Sequence, residues 1–204
     1  MFAAAAEEAI RLIPGVLWVL FAVAVLVIFY RPIRDDLIPR LSSLKLPFGL
    51  EVTLRERVAE AARKQKVTVS EDDKDRIVRR LERSANLLKG AKILWVDDRP
   101  QNNTQELSLL ATFGARVDQV TTNAEALDLL RRNGFDVLIS DQEREGQSDA
   151  GEALVQSTGG RPWTILYIGA FDESRPTPAR VFGVTNRPHQ LLHFVLDALE
   201  RQPA

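Results

Sequence analysis

The stretch KILWVDDRPQNN, Lys92 to Asn103, decides how the rest of the chain is read. Ile93, Leu94, Trp95 and Val96 make a short apolar run that stops abruptly at Asp97 and Asp98. A run of this length and bulk, flanked by turn residues, predicts a buried strand. The two carboxylates then stand at the carboxyl end of a strand, which in an open parallel sheet is the edge where ligands bind. Adjacent negative charges repel unless a hard cation with oxygen ligands compensates them. Val137-Leu138-Ile139-Ser140 ends in Asp141 in the same way. Two such strand ends, separated by a helix-strand-helix pattern, are more specific than one.

Working outward, the pattern from Ala91 alternates regularly between strand and helix signals. After the strand Lys92–Val96 comes a helix carrying Leu107, Leu110 and Ala111, closed by Gly114. A second strand covers 116–121, and Asn123 is expected to cap a helix with Ala126, Leu127 and Leu130. The third strand is 137–140, a short helix covers 151–156, and 164–168 and 182–185 are the fourth and fifth strands. Residues 189–201 form a closing amphipathic helix with Pro188 in its first turn. Strands separated by helices imply an α/β fold, a doubly wound five-stranded parallel sheet covered on both faces.

This domain, 91–204, resembles over most of residues 91–202 the receiver domain of bacterial response regulators, which is flavodoxin-like. The resemblance rests on Val96-Asp97-Asp98, on Asp141 after the third strand, on Gly151 beyond it, and on Arg187-Pro188 after the fifth strand. It implies that Asp97, Asp98 and Asp141 hold Mg²⁺, with the backbone carbonyl of Glu143 as a further ligand. It also implies that Asp141 accepts a phosphoryl group whose oxygens Arg187 contacts. A carboxylate attacks phosphorus well only when its own charge and that of the phosphoryl group are offset. The sequence departs from the family pattern at two places. Gly169 and Ala170 stand where receivers carry Thr or Ser, and Arg187 stands where they carry Lys. The loop after Asp141, QEREGQSDAG, is also longer than usual and lacks the usual proline.

Upstream, Leu12 to Tyr30 carries no charged residue. About 19 residues of helix span roughly 28 Å, close to the hydrocarbon thickness of a bilayer. The residues before the run include Glu7 and Glu8 rather than a basic cluster, so a cleaved signal peptide fits poorly. Arg31, Arg34, Arg40 and Lys45 follow the run and only Arg11 precedes it, which predicts a single-pass anchor in the inner membrane with the C-terminal bulk in the cytoplasm. Residues 1–34 are thus the anchor and 35–90 a juxtamembrane strand and helical connector. The strand is expected within 41–54, where Leu44, Leu46, Phe48, Leu50, Val52 and Leu54 recur with period two. Helices follow at 55–66 and from Ser70, the second with an apolar stripe of Ile77, Leu81, Ala85 and Leu88. That stripe suits either packing on the next domain or self-association into a homo-oligomer.

Composition narrows the function classes. A net charge of -1 gives no global basic field for nucleic acid, and the absence of cysteine excludes disulfides and thiolate metal sites. Gly159-Gly160 lacks the Lys-Ser/Thr of a phosphate-binding loop. No catalytic constellation stands out, so an enzyme is not expected. His189 and His193 read as surface histidines, and Trp95 and Trp163 as core. The expected partners are the membrane and a protein, either a histidine kinase or an output protein. A module that is never phosphorylated and acts by recruiting a protein is the alternative.

Overall fold

Strand signals and strands coincide closely. The structure is a computed structural model that describes residues 48–144, 146–169 and 177–202. Strands β1 (Lys92–Val96), β2 (Arg116–Val120), β3 (Val137–Ser140), β4 (Trp163–Tyr167) and β5 (Gly183–Thr185) form one parallel sheet in the order β2-β1-β3-β4-β5. This is the doubly wound flavodoxin-like order. The helices in chain order are α1 (Phe48–Lys64), α2 (Glu71–Arg83), α3 (Ala85–Leu88), α4 (Thr104–Thr112), α5 (Asn123–Arg132), α6 (Ala150–Thr158) and α7 (Pro188–Glu200). Among the described residues no helix lies between β4 and β5.

The alternation along each strand divides the core in two. Ile93 and Trp95 of β1, Val137 and Ile139 of β3, and Ile165 and Tyr167 of β4 pack with Leu109 and Leu110 of α4 and with Leu192 and Val195 of α7. Leu94, Val96 and Leu138 form a smaller core with Ala126 of α5 and Leu154 of α6. The four residues of β3 are all buried, as expected of a central parallel strand covered on both faces.

The connector is a third layer over the first of these cores. Leu54 and Val58 of α1 and Ile77, Val78 and Leu81 of α2 belong to the same core as α4 and α7. The stripe on α2 is therefore spent on intramolecular packing. Ser70 caps α2: its Oγ accepts from the Asp73 N–H at 3.1 Å. The helix breaks at Ser84 before the short turn α3, rather than running on to Gly90.

Three sequence expectations need correction. First, 48–54 is helical, not strand. Leu50, Leu54 and Val58 also recur every four residues, which is a helical stripe, and the odd member of the period-two pattern, Val52, is left 40% exposed. Second, Thr122 rather than Asn123 caps α5. Its side chain accepts from the Glu125 N–H, and Glu125 returns a bond to the Thr122 N–H, a full capping box. Third, His189 is not on the surface, and His193 is half-buried. His189 is 6% exposed. His193 Nδ1 lies 3.0 Å from Nη1 of Arg80, whose Nη2 also pairs with Asp197 and, at 3.2 Å, with Glu200. This cluster joins α2 to α7. The expected membrane helix at 12–30 lies outside the described residues; among those described, no helix is long and apolar enough to cross a membrane.

Candidate functional site

In this strand order the chain leaves β1 to one side, forms β2, and returns to place β3 on the other side. The carboxyl ends of β1 and β3 thus flank the switch point of the sheet, where a crevice opens. The register sets Val96 beside Ser140, and the Asp141 N–H donates to the Val96 carbonyl at 2.9 Å. The residues that follow the two strands are therefore neighbours. Asp97, Asp98 and Asp141 each present an oxygen such that all three lie within 4.8 Å of one another.

Each carboxylate is positioned by local chemistry. Asp97 is only 9% exposed. Its Oδ1 accepts from the Arg99 N–H at 2.7 Å, and its Oδ2 from Asn103 Nδ2 at 2.6 Å. Asn103 ends a single 3-10 turn, Pro100–Asn103, and is itself buried. Asp141 accepts from the Gln142 N–H at 2.7 Å. Burial, and then the negative charge of Asp97, push the Asp141 carboxyl up to about 6. The Gln142 N–H, the charge of Arg144 and the Glu143 N–H act in the opposite direction but are outweighed. Burial and an acidic neighbour both disfavour the charged form of a carboxyl, which is why Asp141 is held up.

Gly151 closes the back of the site. A Cβ there would stand 2.8 Å from the Asp141 carbonyl oxygen and 3.0 Å from Gln142 Cα. Only glycine lets the first turn of α6 come this close to the strand end, and its N–H donates to the Gln142 carbonyl at 3.1 Å. Beneath Asp141 lies a residue that the sequence did not single out, Arg144, just 3% exposed. Its Nη1 donates to Ser140 Oγ at 2.7 Å, to the Val96 carbonyl at 3.4 Å and to the Asp141 carbonyl; its Nη2 donates to Asn123 Oδ1.

The carboxylates open into a cavity of about 700 Å³ whose walls include Glu143, Gly169, Tyr167, Val184 and Gln65, the residue just after α1. Glu143 is exposed at this rim. Gly169 offers no hydroxyl, although a Cβ added there would meet nothing within 4 Å. Arg187 is exposed and does not line the cavity. Its N–H donates to Thr185 Oγ1 at 2.9 Å at the start of α7, and its charge acts on His189. The structure thus brings together Asp97, Asp98, Asp141 and Glu143, and holds Arg187 outside.

A second buried acid adjoins the site. Tyr167 donates to Glu106 Oε1 at 2.7 Å, and Glu106 Oε2 has no hydrogen-bond partner among the described residues. Burial first, with the charge of Asp97 adding to it, raises the Glu106 carboxyl. The signal for this residue was a Glu in the phase of the apolar stripe of α4, one position before Leu107.

No family model and no curated protein matches the chain. Among solved structures it is similar to the chemotaxis response regulator CheY4 of Vibrio cholerae, at 22% identity over 54% of this chain and 99% of that one, with a TM-score of 0.42. It is also similar to the response regulator PhyR from Brucella abortus, at 16% identity and a TM-score of 0.45, and to a mutant of the anti-anti-sigma factor PhyR from Bartonella quintana, at 15% and 0.47. Each of these two matches covers 65% of this chain and 57% of the other. The fold itself follows from the strand order and register described above.

Proposed function

We propose that the chain is a membrane-anchored, receiver-like signalling protein in which Asp141 accepts a phosphoryl group in the presence of Mg²⁺. The observation that carries this reading is the meeting of Asp97, Asp98 and Asp141 within 4.8 Å at the carboxyl edge of the sheet. Three carboxylates opening into a cavity are a fitting donor set for a small hard cation that keeps several waters. Asp97, Asp98 and Asp141 would hold it, with the Glu143 carbonyl as a further ligand. Bound there, Mg²⁺ supplies charge compensation for an incoming phosphoryl group. The chain's own residues do the rest. Arg99 and Asn103 fix the orientation of Asp97, the Gln142 N–H fixes that of Asp141, and Gly151 lets the loop close behind it. Arg187 starts outside the cavity, so contact with phosphoryl oxygens requires its exposed side chain to swing inward.

The test is incubation of the full chain with Mg²⁺ and acetyl phosphate, read by intact mass. Addition of one phosphoryl group, lost in Asp141→Asn, supports the proposal. No addition favours the second reading, a pseudo-receiver that recruits a protein partner without phosphorylation. That second reading draws on the bare Gly169 and on the outward position of Arg187. In either case the donor or target is a protein, a histidine kinase or an output protein, met at the cytoplasmic face of the inner membrane. Anchoring through 12–30 is tested by membrane fractionation, with the topology read from a C-terminal reporter fusion.

A further inference from the structure

We infer that the amino edge of the sheet, opposite the acidic cavity, is a docking surface for an acidic segment of a partner protein, held by Arg161, Arg180 and Arg201 around the ring pair Trp163 and Phe182. The inference goes beyond the cation-site reading and does not depend on it.

Arg161 leads into β4, whose first residue is Trp163; Phe182 directly precedes β5, and Arg201 caps the end of α7. They meet because α7 runs back across the sheet: Gln202 Nε2 donates at 2.7 Å to the carbonyl of Asp136, the residue before β3. Trp163 and Phe182 are half-buried, with ring centroids 5.3 Å apart. The Arg161 guanidinium lies 3.9 Å over the Trp163 ring, and that of Arg201 lies 5.2 Å over Phe182. A ring covers one face of a guanidinium and leaves its in-plane N–H donors open to a carboxylate. Phe194 backs Phe182 edge-on at 6.4 Å.

All three arginines are exposed, and among the described residues none of them pairs with a carboxylate. Two acids of this edge are engaged elsewhere: Asp136 accepts from the Lys92 N–H at 2.7 Å, and Glu200 pairs with Arg80 at 3.2 Å. Arg180 carries the clearest signal. Its φ of 68° lies in the left-handed region, which glycine or asparagine occupies with less strain. Gly160 makes room for it, since a Cβ there would stand 2.8 Å from the Arg180 Cβ. The fold thus carries strain for a side chain that makes no hydrogen bond or ion pair among the described residues. Gathering like charges also costs energy that an incoming anion relieves. The patch is apolar at its centre and cationic at its margin, which fits a peptide whose carboxylates flank an aromatic residue. It suits nucleic acid poorly: the chain's net charge of -1 gives no wider field for a row of phosphates. The half-buried rings do not protrude far enough to enter a lipid surface.

The experiment uses the full chain and a fluorescein-labelled copolymer of glutamate and tyrosine, with Kd read by fluorescence anisotropy and stability by thermal melting. The unsubstituted chain should bind the copolymer, and more weakly as salt rises. The double variant R161Q/R201Q should weaken binding about tenfold, through loss of two guanidinium–carboxylate contacts. R180N should weaken it about threefold yet hold or raise the melting temperature, because asparagine accepts the left-handed conformation. R79Q, which alters a cation of α2 that pairs with Asp75, should stay within about twofold of the unsubstituted chain. Absence of binding by the unsubstituted chain overturns the inference. So does affinity unchanged in R161Q/R201Q or in R180N. Tighter, arginine-dependent binding to mixed-sequence duplex DNA or to phosphatidylglycerol vesicles than to the copolymer overturns the choice of a protein partner. If R161Q/R201Q does not fold, R180N decides, since lower affinity at undiminished stability separates a docking role from a structural one. None of these outcomes bears on the acetyl phosphate test of Asp141, so the two readings fail separately.

Discussion

At the scale of single residues, Asp141 sets a measurable balance. An ordinary aspartate titrates near 3.8, and this one is pushed up to about 6. Between those values the folded chain holds more protons than the unfolded one, so this group's contribution to stability falls as pH rises from about 4 to about 6. Asp141→Asn removes the burden while keeping an oxygen for the Gln142 N–H. In metal-free buffer at pH 7 it should raise the melting temperature by about 2–4 °C, the equivalent of ~1 kcal/mol in a chain of this size. The gain should vanish near pH 4, where the unsubstituted carboxyl is already protonated; a gain independent of pH would contradict the assigned cause. Gly151 makes a separate prediction. The atoms that an added methyl would strike include backbone, which cannot rotate away. Gly151→Ala should cost about 1–3 kcal/mol in chemical denaturation and weaken Mn²⁺ binding. Gly134→Ala, where the space is open, should do neither.

At the scale of elements, the seam between α2 and α7 is sensitive to acid. Burial is the main cause that lowers both His189 and His193 below the usual 6.5. Asp73 pulls His189 back up, while Arg187 and Arg76 push it further down. At His193, Arg80, His189 and Arg76 push down and Asp197 pulls up. Below pH 6.5 the unfolded chain takes up these protons before the folded one does, so this part of the stability is lost as pH falls from there. Amide hydrogen exchange in α2 should accelerate between pH 7 and pH 5.5 beyond the intrinsic pH trend, and His193→Gln should flatten the change. An unchanged profile in that variant would place the effect elsewhere. The same seam shows what sequence could and could not give. Strand ends were legible, because parallel register carries Asp97 and Asp141 side by side once both strands are found. The histidines were not, because their burial depends on which helix lands on α7. Arg144 was not either, since an arginine in QEREGQSDAG looks solvated until the strand ends and the start of α5 are seen to meet it. Residues 48–54 misled because their apolar spacing fits both a strand and a helix, and only the exposed Val52 separates the two.

At the scale of the molecule, the connector cannot be separated from the sheet. Leu54, Val58, Ile77 and Leu81 are fully buried in the core that α4 and α7 share. A fragment of 91–204 would expose that surface, although the sequence suggests a boundary there. It should show a melting temperature at least about 10 °C below that of 46–204, or aggregate, since loss of several buried Leu and Ile contacts at 2–5 kcal/mol each exceeds the usual margin of stability. Equal melting of the two fragments would show that the connector is only draped on the sheet.

The way α1 ends has a mechanical meaning. Its 17 residues make a stiff rod of roughly 25 Å. Its near end is Phe48, and just past the far end Gln65 borders the cavity beside Tyr167. A ligand in the cavity and a load applied near residue 48 would bear on opposite tips of this one spar, so such a pull should be readable as altered occupancy.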